Sequence, residues 1–177
     1  AGTLPPTDGQ VVTWNKAKDK WVPSYLATKQ PRLYSVPEAA FSDYTGMTQR
    51  HTILSFTVEA QDYNWVPYVH GHIKAFGVEL GDSDPMTIGC EVRVGDATAG
   101  QLVARSHGTV AHWTTVTPHF SSPDNPTAAV APNNGVAMIK AGQPTVFNVN
   151  LVNDGLLGSY SFHKAGAQLT IVTFPQG

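Results

Sequence analysis

Met86-Thr87-Ile88-Gly89-Cys90-Glu91-Val92-Arg93-Val94 places Met86, Ile88, Cys90, Val92 and Val94 at every second position. Successive side chains of a strand point to opposite faces, so this spacing predicts a half-buried β-strand. The same alternation recurs on both sides of it. Leu54, Phe56 and Val58 share one face of an earlier stretch. In the next, Val69, Ile73 and Ala75 face one way, with Tyr68, His70, His72, Phe76 and Val78 on the other. Gly100 to Val116 holds one or two further strands, and Thr145 to Val152 and Gln168 to Phe174 are two more. The 13 prolines and 16 glycines are scattered between these runs as turn punctuation. Period-two patterning with regular turns predicts an all-β fold, a β-sandwich of jelly-roll type. The best helical signal is Ser35-Val36-Pro37-Glu38, where Ser35 is placed to cap and Glu38 to close a capping box. It predicts a turn or two of helix ending before Gly46.

The chain has 177 residues and 19.0 kDa, which suits one compact domain with a small appendage. Residues 1–48 carry more Pro, Lys and polar residues and read as an N-terminal arm used for linking or oligomerisation. Residues 49–177 read as the β-sandwich head. Within the head, Ser121 to Gly135 is a long loop with three prolines, either a contact surface or a crossover between sheets. Hydrophobic residues make up 41%, enough to fill a core. Charged residues are only 14%, the formal net charge is −2, and the densest basic set is Lys16, Lys18 and Lys20. A grip on nucleic acid needs several phosphate-neutralising cations on one surface, so no nucleic-acid partner is expected. No apolar run is long enough for a helical membrane span, and membrane insertion is not expected. No signal-peptide pattern is present either. The chain begins at Ala1 rather than Met, and a fragment or processed product of a longer parent is expected.

Residues able to carry chemistry are present but do not form a set. Cys90, the single cysteine, falls within the apolar alternation and reads as a small buried core residue. His70-Gly71-His72 puts two imidazoles on one face of a strand, as in the metal sites of cupin jelly rolls. Glu79 lies too far behind the pair for that pattern, and nothing in the sequence places His112, His119 or His163 beside it. No metal is therefore expected. Asp82-Ser83-Asp84-Pro85 reads as a turn, lacking the further carboxylates of a calcium loop. The chain has no Gly-x-Ser-x-Gly elbow. Of the acidic residues Glu59, Asp62, Glu79, Asp82, Asp84, Glu91 and Asp96, most sit in turn-like contexts, unlike a glycosidase pair. The expectation is a protein that is not an enzyme and uses no cofactor.

Aromatic residues are the better lead. Tyr63, Trp65 and Tyr68 surround Pro67, and His112-Trp113 is followed by His119-Phe120. Exposed aromatic faces stack on the apolar face of a pyranose, while neighbouring polar groups take its hydroxyls. Trp65, Tyr68, His112, Trp113 and His119 are accordingly the candidate ligand contacts. The competing reading makes Trp65 and Trp113 core residues, since large aromatics dominate burial.

Asp8-Gly9-Gln10-Val11-Val12-Thr13-Trp14-Asn15 and Lys20-Trp21-Val22-Pro23 read as two short strands joined by a polar turn, with a tryptophan in each. An isolated hairpin is marginal in water, so Trp14 and Trp21 are expected to anchor against a neighbouring subunit or the head. This segment resembles a tryptophan hairpin that recurs in bacteriophage tail fibres and minor tail proteins. The stretch Gly77 to Arg93 is similar to the C-terminal β-domain of actinobacteriophage minor tail proteins. So are Val149-Asn150-Leu151-Val152-Asn153-Asp154-Gly155 and Lys164-Ala165-Gly166-Ala167-Gln168-Leu169. The resemblance implies an extracellular virion component of the distal tail, a homotrimer, that joins other phage tail proteins and meets a bacterial cell-surface glycan. It assigns no receptor-binding residue. An architectural capsid decoration or head fibre, and a glycan-cleaving or metal-dependent jelly-roll enzyme, are the alternatives.

Overall fold

A computed structural model describes residues 10–25, 29–47, 50–79, 86–122, 138–153 and 160–176. The turn expected at Asp82-Ser83-Asp84-Pro85, the residues Asp154-Gly155 and most of the expected loop beyond Ser121 lie outside these residues. Eleven strands are described: β1 (Gln10–Asn15), β2 (Lys20–Tyr25), β3 (Arg32–Met47), β4 (Arg50–Val58), β5 (Trp65–Glu79), β6 (Met86–Val94), β7 (Gln101–Val110), β8 (Thr115–Val116), β9 (His119–Ser121), β10 (Thr145–Asn153) and β11 (Tyr160–Pro175). Among the described residues no helix is long and apolar enough to cross a membrane.

The chain divides into a unit Ala1–Gln30 and a unit Pro31–Gly177. In the second, one sheet runs β4-β10-β6-β7 and the other β3-β11-β5-β8, with β9 also pairing β5. All pairings are antiparallel. The chain repeatedly crosses between sheets, and the first strand of the unit lies beside the last. That interleaving is a jelly roll, as the alternation predicts.

The core lies between the sheets because each strand turns one face inward. On β10, Phe147, Val149 and Leu151 are fully buried, as are Val69 and Ile73 on β5 and Leu169 and Ile171 on β11. The intervening Asn148 and Asn150 are also buried, covered by the β6–β7 connection. Asn148 Nδ2 donates to the Gly95 carbonyl at 2.8 Å, and Asn150 Nδ2 donates to the Ala97 carbonyl at 2.7 Å. Ser55 and Thr52 on β4 donate to the two amide oxygens at 2.7 and 2.8 Å. Buried amides satisfied in this way avoid the cost of stranded polar groups.

Two expectations are corrected here. Ser35-Val36-Pro37-Glu38 is strand, with Ser35 opposite Thr170 and Val36 opposite Leu169. A local capping signal of four residues yields to the ladder offered by β11, and β3 is an edge strand, where proline is tolerated. The arm is consequently shorter than residues 1–48: β3 belongs to the sandwich, and the division falls after Gln30.

The first unit contains the expected hairpin. Trp14 pairs opposite Trp21, with ring centroids 5.6 Å apart and planes at 67°, an edge-on arrangement suited to the ring quadrupoles. The Lys18 N–H donates to the Asn15 carbonyl and side-chain oxygen at 3.1 and 3.0 Å, closing the turn, and Asp19 takes φ 50°. Trp14 and Trp21 remain 47% and 59% exposed.

Candidate functional site

Strand β5 builds the site by simple alternation. Val69, Gly71, Ile73 and Ala75 are buried, so Tyr68, His70, His72, Lys74 and Phe76 project from the outer face of the β3-β11-β5-β8 sheet. At about 3.3 Å per residue, Tyr68 to Phe76 spans roughly 26 Å. Neighbouring strands add rings to this row. Phe174 on β11 meets Tyr68 edge-on at 6.4 Å, and Tyr68 lies 6.1 Å from His70. His119 on β9 meets His72 at 5.3 Å, and Trp113 lies 6.2 Å from Phe76. The result is a strip of aromatic and imidazole rings along one sheet face.

The middle of the strip depends on Gly71. A Cβ there would lie 2.1 Å from the Gln168 carbonyl oxygen, so any other residue would push β11 away. Here His70, His72, His119, Ser121 and Gln168 border a recess of about 290 Å³. His72 Nε2 lies 2.5 Å from Glu38 Oε2. No group of three His, Cys, Asp or Glu among the described residues is arranged to hold a metal ion.

A larger cleft of about 620 Å³ lies at the Phe76 end, lined by Asp43, Lys74, Ala75, Phe76, Thr115, His163 and Lys164. Its β11 wall is a bulge: the pairing of β11 with β5 shifts between His163 and Gly166. The extra residue lets His163 and Lys164, adjacent in sequence, both face solvent between buried Phe162 and Ala165. Lys164 takes φ 49°. Asp43 on β3 fixes the bulge, its Oδ1 accepting the Lys164 N–H at 2.9 Å and lying 2.8 Å from His163 Nδ1. These contacts, the His163 hydrogen bond foremost, hold the Asp43 carboxyl below its ordinary range.

The opposite rim is the β7–β8 turn. Thr114 ties it shut, its N–H and Oγ1 both donating to the Ala111 carbonyl at 3.2 and 2.7 Å. Trp113 takes φ 59° and donates its N–H to the Gly77 carbonyl at 2.7 Å. A left-handed conformation costs a residue with a Cβ on the order of 1–2 kcal/mol. The turn accepts that cost while leaving Trp113 66% exposed.

Of the residues singled out by sequence, Tyr68, His119 and Trp113 thus share one face, and His112 is half-buried in the Trp113 turn. Trp65 is corrected. It is fully buried, its ring 6.2 Å from Phe147, and its backbone exchanges hydrogen bonds of 2.9 and 2.8 Å with Ile139. The first residue of β5 faces the core, and no ligand reaches it. Cys90 is the core residue expected, its thiol pushed up to about 12 by burial. Sequence reasoning did not find Asp43, Lys74, Phe76, His163 or Lys164 as a group. The signal available was the pair His163-Lys164, two polar residues that break the alternation of a core strand.

No protein-family model matches the chain, and no curated protein sequence matches it. Among solved structures it is similar to the structure of the infectious bursal disease virus Gx strain, with 13% identity and a TM-score of 0.46 over 92% of this chain and 36% of that one. It is also similar to the crystal structure of the infectious bursal disease virus VP2 subviral particle, with 12% identity and a TM-score of 0.45 over 93% of this chain and 38% of that one. For the Gt strain of the same virus the figures are 14% and 0.41, over 98% of this chain and 46% of that one. The chain thus spans less than half the length of each of these solved chains.

Proposed function

We propose that this chain is a virion structural domain of the distal tail that attaches to a bacterial cell-envelope glycan, as an oligomer. The observation that carries the reading is the outward strip of rings on β5 and its neighbours, ending in the exposed Trp113. Tyr68, Phe174 and Trp113 are exposed apolar rings on this strip, as interaction surfaces often carry, and rings flanked by His and Lys are suited to sugar faces and hydroxyls. The virion setting is supported by the resemblance of the hairpin and of Gly77 to Arg93 to phage minor tail proteins. Binding rather than catalysis is the role proposed. Several weak contacts repeated across subunits would give avidity without a deep pocket.

The test is binding of the chain to bacterial envelope polysaccharides, with Trp113→Ala as the variant. Loss of binding at an unchanged melting temperature supports attachment. Retention by the variant removes the strip from the reading, and release of reducing ends from the polysaccharide would sink the non-enzymatic role. A second reading, an architectural part without a receptor, is favoured by the exposed pair Trp14 and Trp21, which suits assembly. Failure of the chain to bind any envelope would select it.

A further inference from the structure

We propose that the cleft between β5, β8 and the β11 bulge is a subsite for an anionic saccharide, a pyranose chain bearing a carboxylate or a phosphodiester. The inference rests on the attachment reading and narrows it to a ligand class. The aromatic side of the cleft is Phe76, which lines it, with Trp113 packed 6.2 Å from that ring. Such a surface takes the apolar face of a sugar. The charged side is Lys74 and Lys164. The carboxylate lining the cleft, Asp43, is engaged by His163 and by the Lys164 backbone N–H. Among the described residues neither lysine side chain is in an ion pair, so two ammonium groups face a cleft whose acid is already engaged. Asp43, whose charge acts on Lys164, sets one carboxylate against two lysines among the described lining residues; a neutral sugar would leave that positive excess, whereas an anionic group beside the ring answers it. At about 620 Å³ the cleft falls within the range of roughly 300–1,000 Å³ common for small-ligand sites.

Backbone conformation points to the same place independently. Among the described residues of the sandwich, the non-glycine residues with positive φ are Trp113 and Lys164, one on each side of this cleft. Strained residues cluster where a fold holds functional side chains in position. Here the two residues are a cation that lines the cleft and an exposed indole packed on Phe76, the ring that lines it.

The experiment titrates the full chain with three oligosaccharides of matched length: an oligogalacturonide, the same oligomer after reduction of its carboxyl groups, and a phosphodiester-linked oligosaccharide. Ligand-observed NMR and calorimetry give the affinities. At least one anionic oligomer should bind about tenfold more tightly than the neutral one, and that advantage should shrink as salt is raised. Which anionic oligomer binds separates carboxylate from phosphodiester. Lys74→Ala combined with Lys164→Gly should remove the advantage, while Trp113→Ala should weaken all binding. Glycine at 164 accepts the positive φ, so that variant relieves the backbone rather than challenging the fold. Equal binding of neutral and anionic oligomers, indifferent to the lysines, overturns the anionic subsite and leaves attachment standing. Absence of oligosaccharide binding also overturns the subsite. If envelope polysaccharides fail as well, the attachment reading falls with it.

Discussion

Asp43 on the edge strand β3 and His163 on β11 meet at 2.8 Å, and the same Asp43 oxygen accepts the N–H of Lys164. One carboxylate therefore fastens an edge strand to a bulge and sets the direction of two exposed side chains. Because these contacts stabilise its ionised form, its pKa lies below the ordinary aspartate value of about 3.9. A depressed folded pKa contributes stability that is present above that value and lost as pH falls through the lower one. A carbonyl-detected NMR titration should place the Asp43 midpoint below an ordinary aspartate, and His163→Ala should move it back up. An unmoved midpoint would show that His163 does not hold the carboxylate.

Glu91 presents a second acid-sensitive point, on β6. Burial alone would raise its pKa, but hydrogen bonds from Arg93, Asn150 and Arg50 outweigh that and hold it below the ordinary glutamate range. Arg93 Nε and Asn150 Nδ2 donate to Oε1 at 2.9 and 3.0 Å, and Arg50 Nε donates to the same oxygen. Glu91→Gln should destabilise the sandwich by about 1–3 kcal/mol in urea at neutral pH. The gap between variant and parent should close as pH falls through the folded Glu91 pKa, since the parent then loses the same charge.

Gly71→Ala should cost about 1–3 kcal/mol by forcing β11 away from β5. The variant should also disturb the His72–His119 contact, visible as shifted imidazole resonances. Parental stability in this variant would mean that the Gln168 carbonyl moves aside freely.

Cys90 should resist thiol reagents at pH 8 in the folded protein and react once denaturant is added. Its thiol is buried and its pKa is pushed up to about 12, so almost no thiolate is present to attack. Rapid labelling without denaturant would show that the β6–β7 region opens.

If the chain acts as the oligomer proposed above, Trp14→Ala with Trp21→Ala should lower the mass seen in sedimentation while the sandwich melts as before. The pair is exposed in the chain and belongs to a separate unit, so its removal leaves the sandwich core intact. An unchanged mass would reduce the hairpin to a linker.

Much of the fold was legible because the sheets obey a period of two. β6, β10 and β11 each carry long alternating apolar rows, and the period fixes which face is buried. The expected helix at Ser35 failed because a capping pattern reports only local preference, whereas β3 is fixed by its pairing with β11. Trp65 and Trp113 were indistinguishable as letters, since each sits among other aromatics and polar residues. Position separates them: one begins a central strand facing inward, and the other occupies a turn with positive φ. The cleft was hidden for a different reason. Asp43, Lys74, Thr115 and Lys164 are far apart in the chain and meet only through strand order and a bulge, neither of which composition reveals.

The position of β11 has a consequence for how the molecule comes into being. It is the strand between β3 and β5, so until β11 has been synthesised β3 has no partner in that sheet and β5 has only the short strands β8 and β9 on its other edge. A growing chain must keep the unpaired edges of β3 and β5 from other chains throughout translation. Closure then occurs late, joining segments distant in sequence, a topology associated with folding in milliseconds to seconds rather than microseconds. Truncations that remove β11 should therefore yield aggregating chains rather than smaller stable domains.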